Sequence, residues 1–158
     1  MYLTTKCRYG TRALAAIARA YGDKPVKRKD IRRAEGITEG YLENLLTTLK
    51  NNGLLLTVRG AGGGFMLSRP PEEISLLDVY RCLEGSPAPV PCLATPRYCG
   101  KTETCVTRPL WARIHRSIEE ILRTTTVGDL LHQAETDEKR RENLQQGDCR
   151  QTSRRVEK

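Results

Sequence analysis

Residues 36–67 read GITEGYLENLLTTLKNNGLLLTVRGAGGGFML, and this stretch decides the fold. Gly36 ends a first helical pattern over about residues 27–35, and Thr38 can cap the helix that follows. That second helix carries one apolar stripe at helical spacing, made of Tyr41, Leu42, Leu45, Leu46 and Leu49. Two helices joined by a tight glycine turn are typical of a helix-turn-helix.

The same stretch continues into a β-hairpin. Residues 54–58 form a short apolar run of strand length, residues 59–64 a glycine-rich loop, and residues 65–67 a second apolar run. This order predicts a hairpin, which after a helix-turn-helix is a wing. Further helices are predicted at about 8–21, 75–84, 109–124 and 127–134. We therefore expect a mainly α fold with a small β-hairpin, consisting of a winged helix-turn-helix domain plus a long dimerisation helix.

Four segments follow from this pattern. We expect a winged helix-turn-helix DNA-binding domain at 1–84, a cysteine loop at 85–107, a dimerisation helix and terminal helix at 108–135, and a disordered tail at 136–158. The tail is charged and polar, with few sizeable apolar residues. The sequence has no run of 18 apolar residues and no signal-peptide pattern. We therefore expect a cytoplasmic protein without a membrane partner.

The net charge of +8 is unevenly distributed. Residues 1–69 carry thirteen Lys and Arg against five Asp and Glu, whereas residues 70–135 carry seven against nine. An excess of positive charge in the segment that contains the helix-turn-helix favours a polyanion as its partner. A solvated basic surface without a partner is the alternative interpretation.

The second helix of the motif is expected to enter the major groove of double-stranded DNA with its N-terminal residues. Asn can read adenine, and Glu can accept a hydrogen bond from cytosine N4. An Arg on a glycine loop can enter a narrow minor groove, and lysines and arginines on the first helix can contact phosphates. The predicted DNA-binding residues are Lys27, Arg28, Lys29, Thr38, Glu39, Gly40, Tyr41, Glu43, Asn44 and Arg59.

The helix predicted at about 109–124 has an apolar stripe that is long for so small a chain. We interpret it as a dimerisation helix, with packing inside a single core as the alternative. The stripe consists of Leu110, Trp111, Ile114, Ile118, Ile121 and Leu122. A two-fold dimer implies a palindromic operator, because the two recognition helices then read equivalent half-sites.

Three of the six cysteines, Cys92, Cys99 and Cys105, lie in one proline-rich segment that should form neither a helix nor a central strand. Thiols clustered on an irregular loop are typical of metal ligands or redox partners. An iron–sulfur cluster, a zinc site and a metal-free thiol sensor all suit them. The sequence has no C-x-x-C pair, and both histidines lie on predicted helices outside the loop. We therefore expect no enzymatic activity.

The sequence resembles the IscR/NsrR-type winged-helix transcription regulators (the Rrf-two family) over about residues 1–135. The resemblance includes TTK at 4–6, YG at 9–10, GI at 36–37, YL at 41–42, VRGAGGGF at 58–65, the three loop cysteines, PLW at 109–111 and VGDLL at 127–131. It implies a homodimer that regulates promoters. It also implies an iron–sulfur cluster, 2Fe–2S or 4Fe–4S, on Cys92, Cys99 and Cys105. DNA contacts are implied at Thr38, Gly40, Tyr41, Asn44 and Arg59.

The resemblance leaves the fourth cluster ligand open. Family members place a ligating His where this chain has Arg108, or an Asp where it has Arg8. The candidates for a fourth ligand in this chain are Cys7, Cys82, Glu103 and His115. We expect a regulator whose cluster senses iron or cluster status, or redox or nitric oxide stress. The alternative is a metal-free, thiol-sensing regulator of the same fold.

Overall fold

The computed structural model describes residues 3–153. Its α-helices are α1 (Thr5–Ala18), α2 (Arg28–Glu35), α3 (Glu39–Asn51), α4 (Leu76–Glu84), α5 (Pro91–Ala94), α6 (Arg108–Thr124) and α7 (Val127–Ser153). The strands β1 (Leu55–Val58) and β2 (Gly64–Leu67) form an antiparallel hairpin, and short 3-10 turns span Pro71–Glu73 and Pro96–Tyr98. The expected mainly α architecture with one small hairpin is confirmed.

Helix α1 starts earlier than the sequence pattern indicates. The Thr4 hydroxyl accepts hydrogen bonds from the backbone N–H groups of Lys6 and Cys7, so the helix begins at Thr5 rather than near residue 8. This arrangement is an N-cap, which satisfies backbone donors that a helix leaves unpaired at its start. The Thr4 hydroxyl also donates a hydrogen bond to the Glu84 carboxylate, which ties the start of α1 to the end of α4.

The core lies where α1, α3 and α4 pack together. The apolar stripe of α3 is fully buried at Leu42, Leu45, Leu46 and Leu49. Gly10 lets α1 approach α4 closely, because a Cβ at this position would lie 2.5 Å from a methyl carbon of Leu83. The burial of one continuous apolar cluster across three helices fixes the orientation of α3, which carries the candidate DNA-reading residues.

The wing is held to the rest of the domain by a residue outside the hairpin. Val26 forms a bridge with Phe65 through two backbone hydrogen bonds of 2.9 Å each. A Cβ on Gly64 would lie 2.4 Å from the Val26 carbonyl oxygen, so glycine permits this approach. The wing therefore pairs with the segment that leads into α2.

The turn between α6 and α7 is fixed against the start of α4. Thr125 accepts a 2.8 Å hydrogen bond from the Leu76 N–H, and Val127 donates a 2.9 Å hydrogen bond to the Ile74 carbonyl. Val127 is buried in the main core. Helix α6 also contacts α4 through an ion pair between Arg81 and Glu119, whose closest atoms are 2.7 Å apart.

Disorder of the tail at 136–158 stays a prediction, and helix α7 continues past the terminal helix expected at about 127–134 through the segment 136–153. The segment combines few apolar residues with strong helix formers such as Glu, Lys, Arg and Gln. A helix already nucleated in the folded domain extends through such residues at little cost. Residues 154–158 of the expected tail lie outside the described residues. Across the described part of the chain, no helix is both long enough and apolar enough to span a membrane.

Candidate nucleic-acid interface and cysteine loop

The first turns of α3 present the predicted reading residues to solvent. Thr38, Glu39, Gly40, Glu43 and Asn44 are exposed, and Tyr41 is half-buried. The opposite face of α3 is buried in the core, so these exposed positions share one outward surface. A surface of this kind can present hydroxyl, carboxylate and amide groups to base edges.

The turn between α2 and α3 is built by Gly36 and Ile37. Gly36 has a left-handed backbone, with a φ of 64°, and its N–H donates to the Arg32 carbonyl. Ile37 is buried and anchors the turn to the core. Thr38 occupies the N-cap position as predicted, but its side chain makes no capping hydrogen bond. The Thr38 hydroxyl is therefore available to another partner.

Ion pairs join α2 to the reading face of α3, which the sequence alone did not reveal. Arg28 pairs with Glu43 and lies 3.7 Å from Glu39, while Arg32 lies 4.0 Å from Glu39. All four side chains are substantially exposed, so these pairs add little to stability. They neutralise two carboxylates that would otherwise repel DNA phosphates.

A second contact links α1 to α3 through aromatic rings. Tyr9 and Tyr41 meet edge to face with their ring centroids 6.2 Å apart. The guanidinium groups of Arg8 and Arg12 lie 5.8 Å and 5.5 Å from the Tyr9 ring centroid. Arg12 also forms a 2.6 Å ion pair with Glu35 at the end of α2. Tyr41 is thus positioned by α1 at the start of the reading helix.

The wing carries Arg59 at its exposed tip. Gly60 follows with a φ of 105°, a conformation that favours glycine, and Gly63 approaches the Val58 carbonyl closely. The resulting tight loop holds Arg59 at the end of β1. Lys27 and Lys29 are also exposed at the start of α2. The structure therefore leaves the predicted wing and α2 cations accessible to a polyanion.

The three loop cysteines lie between α4 and α6. Cys92 is half-buried within the short helix α5, Cys99 is exposed and Cys105 is half-buried. The expectation of a loop without helix is therefore wrong for Pro91–Ala94, because Pro91 suits the first turn of a helix. All three thiols are free of disulfide bonds. Among the described residues no group of three or more His, Cys, Asp or Glu side chains is gathered as a metal site.

The surroundings of Cys105 favour ionisation of its thiol. Its Sγ lies 3.3 Å from the Thr107 hydroxyl oxygen. The Thr107 hydroxyl lowers the pKa of Cys105, with further contributions from the backbone N–H groups of Thr107 and Arg108 and from the Arg108 charge. These donors surround the start of α6 and favour a thiolate.

The candidates for a fourth ligand are dispersed. Cys7 is buried on α1, and burial raises the pKa of its thiol. Cys82 donates a weak 3.6 Å hydrogen bond to the Thr48 carbonyl on α3, and burial likewise raises the pKa of Cys82. Glu103 is exposed in the loop, and the imidazole of His115 lies 3.9 Å from Glu119 on α6. None of these side chains joins the loop cysteines in a metal-binding group within residues 3–153.

The donor set nevertheless fits an iron–sulfur cluster chemically. Thiolates are the protein ligands that such clusters take, and three free thiols occur in one short segment. One of them, Cys105, has a lowered pKa. The three thiols therefore suit an iron–sulfur cluster as ligands. Within residues 3–153 the structure does not bring them together into one metal site.

Helix α6 presents an apolar face to solvent. None of its residues is buried in the single chain. Among the large apolar residues of α6, Leu110 is 50% exposed, Ile114 is 37% exposed and Ile121 is 64% exposed. Trp111, Ile118 and Leu122 are half-buried. Packing within one chain therefore does not cover the stripe.

Comparison with known proteins agrees with this architecture. Residues 3–133 match the Rrf2 family, described as "Iron-dependent Transcriptional regulator". The chain is 38% identical over 134 residues to Protein rrf2 of Nitratidesulfovibrio vulgaris, which covers 85% of this chain and 89% of that protein.

Two solved structures share the fold. The structure of CymR, the global cysteine regulator of Bacillus subtilis, superposes with a TM-score of 0.72 at 35% identity, covering 82% of this chain and 95% of CymR. IscR of T. potens superposes with a TM-score of 0.71 at 36% identity, covering 85% of this chain and 88% of IscR. CymR of Bacillus subtilis is also named an HTH-type transcriptional regulator, as is IscR of Erwinia tasmaniensis, to which the chain is 33% identical over 135 residues. The winged helix-turn-helix, the family match and the solved neighbours together show that this chain belongs to the Rrf2 family of DNA-binding transcriptional regulators.

Proposed function

We propose that this protein is a homodimeric transcription regulator whose operator binding is controlled by an iron–sulfur cluster on Cys92, Cys99 and Cys105. The observation that carries this proposal is the presence of three free thiols in one segment between α4 and α6. That segment connects the domain that presents the reading helix to the helix with an uncovered apolar face. A change in the loop can therefore act on both.

The thiols supply the ligands, and the cluster type, 2Fe–2S or 4Fe–4S, stays open. When bound, the cluster supplies a redox-active iron centre that responds to oxidants or to iron supply. Cys105 contributes a thiolate that is favoured by the donors at the start of α6. As a ligand, Cys105 would hold the cluster just before Arg108, where α6 begins. The candidates for completing the site are Cys7, Cys82, Glu103 and His115.

The homodimer is supported by α6. Its exposed leucine and isoleucine side chains form an apolar stripe on a helix that has no buried residue. A second copy of α6 would cover this stripe and remove apolar surface from water. The proposed dimer contacts are those of Leu110, Trp111, Ile114, Ile118, Ile121 and Leu122.

The DNA contacts are supported by the exposed start of α3 and by the wing. In a two-fold dimer, two copies of α3 read equivalent half-sites of a palindromic operator. Asn44 and Glu43 are proposed to read base edges, and Arg59 a narrow minor groove. Lys27, Arg28 and Lys29 are proposed to contact phosphates, and Thr38, Glu39, Gly40 and Tyr41 to line the approach to the bases.

A second candidate is a metal-free, thiol-sensing regulator of the same fold. It is favoured by a specific observation, namely that the described part of the chain gathers no metal-binding group although the loop thiols are accessible. The oxidized form in which CymR of Staphylococcus aureus was solved supports this second candidate, as the family description "Iron-dependent Transcriptional regulator" supports the first. Both candidates share the DNA-binding surface and differ in what the cysteines hold.

Anaerobic purification followed by native mass spectrometry distinguishes the two candidates, because it reports iron, sulfide and oligomeric state together. The first candidate predicts a dimer with iron and sulfide bound, and loss of both in Cys99→Ala. Cys149→Ala is the matched control, since it removes a thiol outside the loop. A protein that stays free of iron and sulfide after reconstitution, but loses operator affinity on oxidation, would support the second candidate instead.

A further inference from the structure

Glu35 carries a negative charge at a position where a helix disfavours it. It is the last residue of α2, directly before the left-handed Gly36. The C-terminal end of a helix attracts cations and repels carboxylates, and α2 places Arg32 and Arg33 in this last turn. The Glu35 side chain is also only 11% exposed, so water compensates little of its charge. Such departures from local preference are expected at functional or strained sites.

The partner of Glu35 is Arg12 on α1. Arg12 Nε donates a 2.6 Å hydrogen bond to Glu35 Oε2, and within residues 3–153 no other ion pair involves this carboxylate. The Arg12 guanidinium also lies 5.5 Å from the centroid of the Tyr9 ring, whose edge meets the ring of Tyr41. Because Tyr41 lies in the first turn of α3, one guanidinium contacts the end of α2 directly and the start of α3 through a single ring.

These two contacts lie on either side of the turn at Gly36 and Ile37, which joins the helices of the DNA-binding motif. Recognition of base edges requires side chains that are placed to within about 0.5 Å. Attraction to phosphates carries no sequence information and depends mainly on charge. A small displacement of α3 should therefore reduce discrimination between DNA sequences more than it reduces binding to DNA in general.

We propose that Arg12 is a positioning residue for operator recognition, which holds α3 at the angle where Glu43 and Asn44 reach base edges. It acts through Glu35 at the end of α2 and through Tyr9 at the start of α3, and this role needs no contact between Arg12 and DNA. The inference rests on the proposed reading of base edges by α3. Arg12 thus contributes to the specificity of DNA binding rather than to its non-specific strength.

Fluorescence anisotropy of the full chain tests this role on two duplexes of equal length and composition, one selected by the parent protein from a random library and one scrambled. The specificity ratio is the Kd for the scrambled duplex divided by the Kd for the selected duplex, at one fixed salt concentration. We expect Arg12→Gln to lower this ratio at least about fivefold, as loss of one good base contact implies.

Arg19→Gln is the matched control for charge. Arg19 is exposed at the C-terminal end of α1 and, in the part of the chain that the structure describes, takes part in no ion pair. The control should leave the specificity ratio unchanged. Arg12→Gln and Arg19→Gln should weaken binding to the scrambled duplex equally, because each removes one positive charge.

Two further variants separate positioning from stability. Arg12→Gln leaves a nearly buried carboxylate uncompensated and should lower the Tm, whereas Arg12→Gln/Glu35→Gln removes both charges and should recover most of the loss. The specificity ratio should stay low in this double variant, because the guanidinium that faces Tyr9 is still missing. Arg12→Lys keeps a cation for Glu35 but not the planar group, so its ratio should lie between those of the parent and Arg12→Gln.

Three results would overturn the inference. The first is a specificity ratio in Arg12→Gln equal to that in Arg19→Gln. The second is a ratio that recovers together with the Tm in the double variant, since Arg12 would then serve stability alone. The third is a parent-like ratio in Arg12→Lys, the variant that keeps the test decisive if Arg12→Gln does not fold.

Asn44→Ala distinguishes these failures from a failure of the proposed reading by α3. An unchanged ratio in Asn44→Ala would refute that reading, and the positioning role with it. A lowered ratio in Asn44→Ala beside a parent-like ratio in Arg12→Gln would refute the positioning role alone.

Discussion

Gly64 opens strand β2 at a position where a methyl group has no room. A Cβ there would lie 2.4 Å from the carbonyl oxygen of Val26 and 2.7 Å from its carbonyl carbon. Both are backbone atoms, so they cannot rotate away as the end of a side chain can. We predict that Gly64→Ala separates the wing from Val26 and breaks the two 2.9 Å hydrogen bonds between Val26 and Phe65.

The size of the effect follows from those two bonds. Each backbone hydrogen bond contributes about 0.5–1.5 kcal/mol net to stability. Replacing glycine by alanine offsets about 0.4–1 kcal/mol of this loss, because the unfolded chain becomes less flexible. We therefore expect Gly64→Ala to lower the free energy of unfolding by about 1–2 kcal/mol. For a chain of this length, the corresponding fall in Tm is about 2–8 °C.

Urea unfolding followed by circular dichroism measures this change, at one fixed protein concentration because association shifts apparent stability. Gly62→Ala is the matched control in the same wing, since no heavy atom lies within 4 Å of a Cβ there and its φ is not positive. The control should stay within about 0.5 kcal/mol of the parent protein. Equal stability of the two variants would refute the argument that Val26 holds the wing through Gly64.

Three further predictions address the wing tip, the dimer helix and pH. Arg59→Ala should weaken DNA binding most at sites with narrow A/T-rich minor grooves, measured by anisotropy on matched duplexes; uniform weakening would mean that Arg59 contacts only phosphate. Ile121→Lys should convert the proposed dimer into a monomer in sedimentation velocity, because it places a charge on the exposed apolar face of α6, whereas Arg113→Lys should leave association unchanged. Asp129 accepts 2.8 Å hydrogen bonds from the Thr126 N–H and hydroxyl, and these hold the pKa of Asp129 below its usual value. Its contribution to stability is therefore present above about pH 4 and lost as the pH falls through the lowered pKa. Asp129→Asn should destabilise the protein at pH 7, and thermal unfolding should show this difference shrinking as the pH is lowered below about 4.

The elements that the sequence predicted correctly are those whose signals are local. Helix α3 is defined by an apolar stripe within thirteen residues, and Gly36 marks the turn before it. The wing is defined by two short apolar runs around a glycine loop. Exposure of Thr38, Glu39, Gly40, Glu43 and Asn44 then follows from burial of the opposite face. Such features depend on residues a few positions apart, so periodicity and turn chemistry suffice to predict them.

Features that depend on distant residues were not predicted. The bridge between Val26 and Phe65 joins two segments separated by α2, α3 and β1, and no local pattern indicates it. The pairing of Arg28 with Glu43 requires the crossing geometry of α2 and α3. A signal for Val26 did exist, since three consecutive glycines before Phe65 can indicate close backbone approach.

The sequence of α7 combines a composition that favours disorder with residues that favour helix. The low apolar content after residue 135 favours disorder, whereas its Glu, Lys, Arg and Gln residues favour helix. The deciding factor lies upstream, where Thr126 and Asp129 form a reciprocal cap and Val127 is buried in the core. Because nucleation is the costly step of helix formation, a helix started by tertiary packing can continue through a polar segment.

The ion pairs between α2 and α3 reduce the number of basic side chains in the first half of the chain that are free to bind phosphate. A count of cations treats Arg28 and Arg32 as phosphate ligands, but both face carboxylates on the reading helix. Lys29, Arg33 and Arg59 are exposed and, within the described residues, take part in no ion pair. We therefore expect non-specific attraction to DNA to depend mainly on such free cations, because salt-dependent affinity scales with the phosphates that are neutralised. We propose that Arg28, besides its proposed phosphate contact, and Arg32 also control how closely the carboxylates of Glu39 and Glu43 can approach a base.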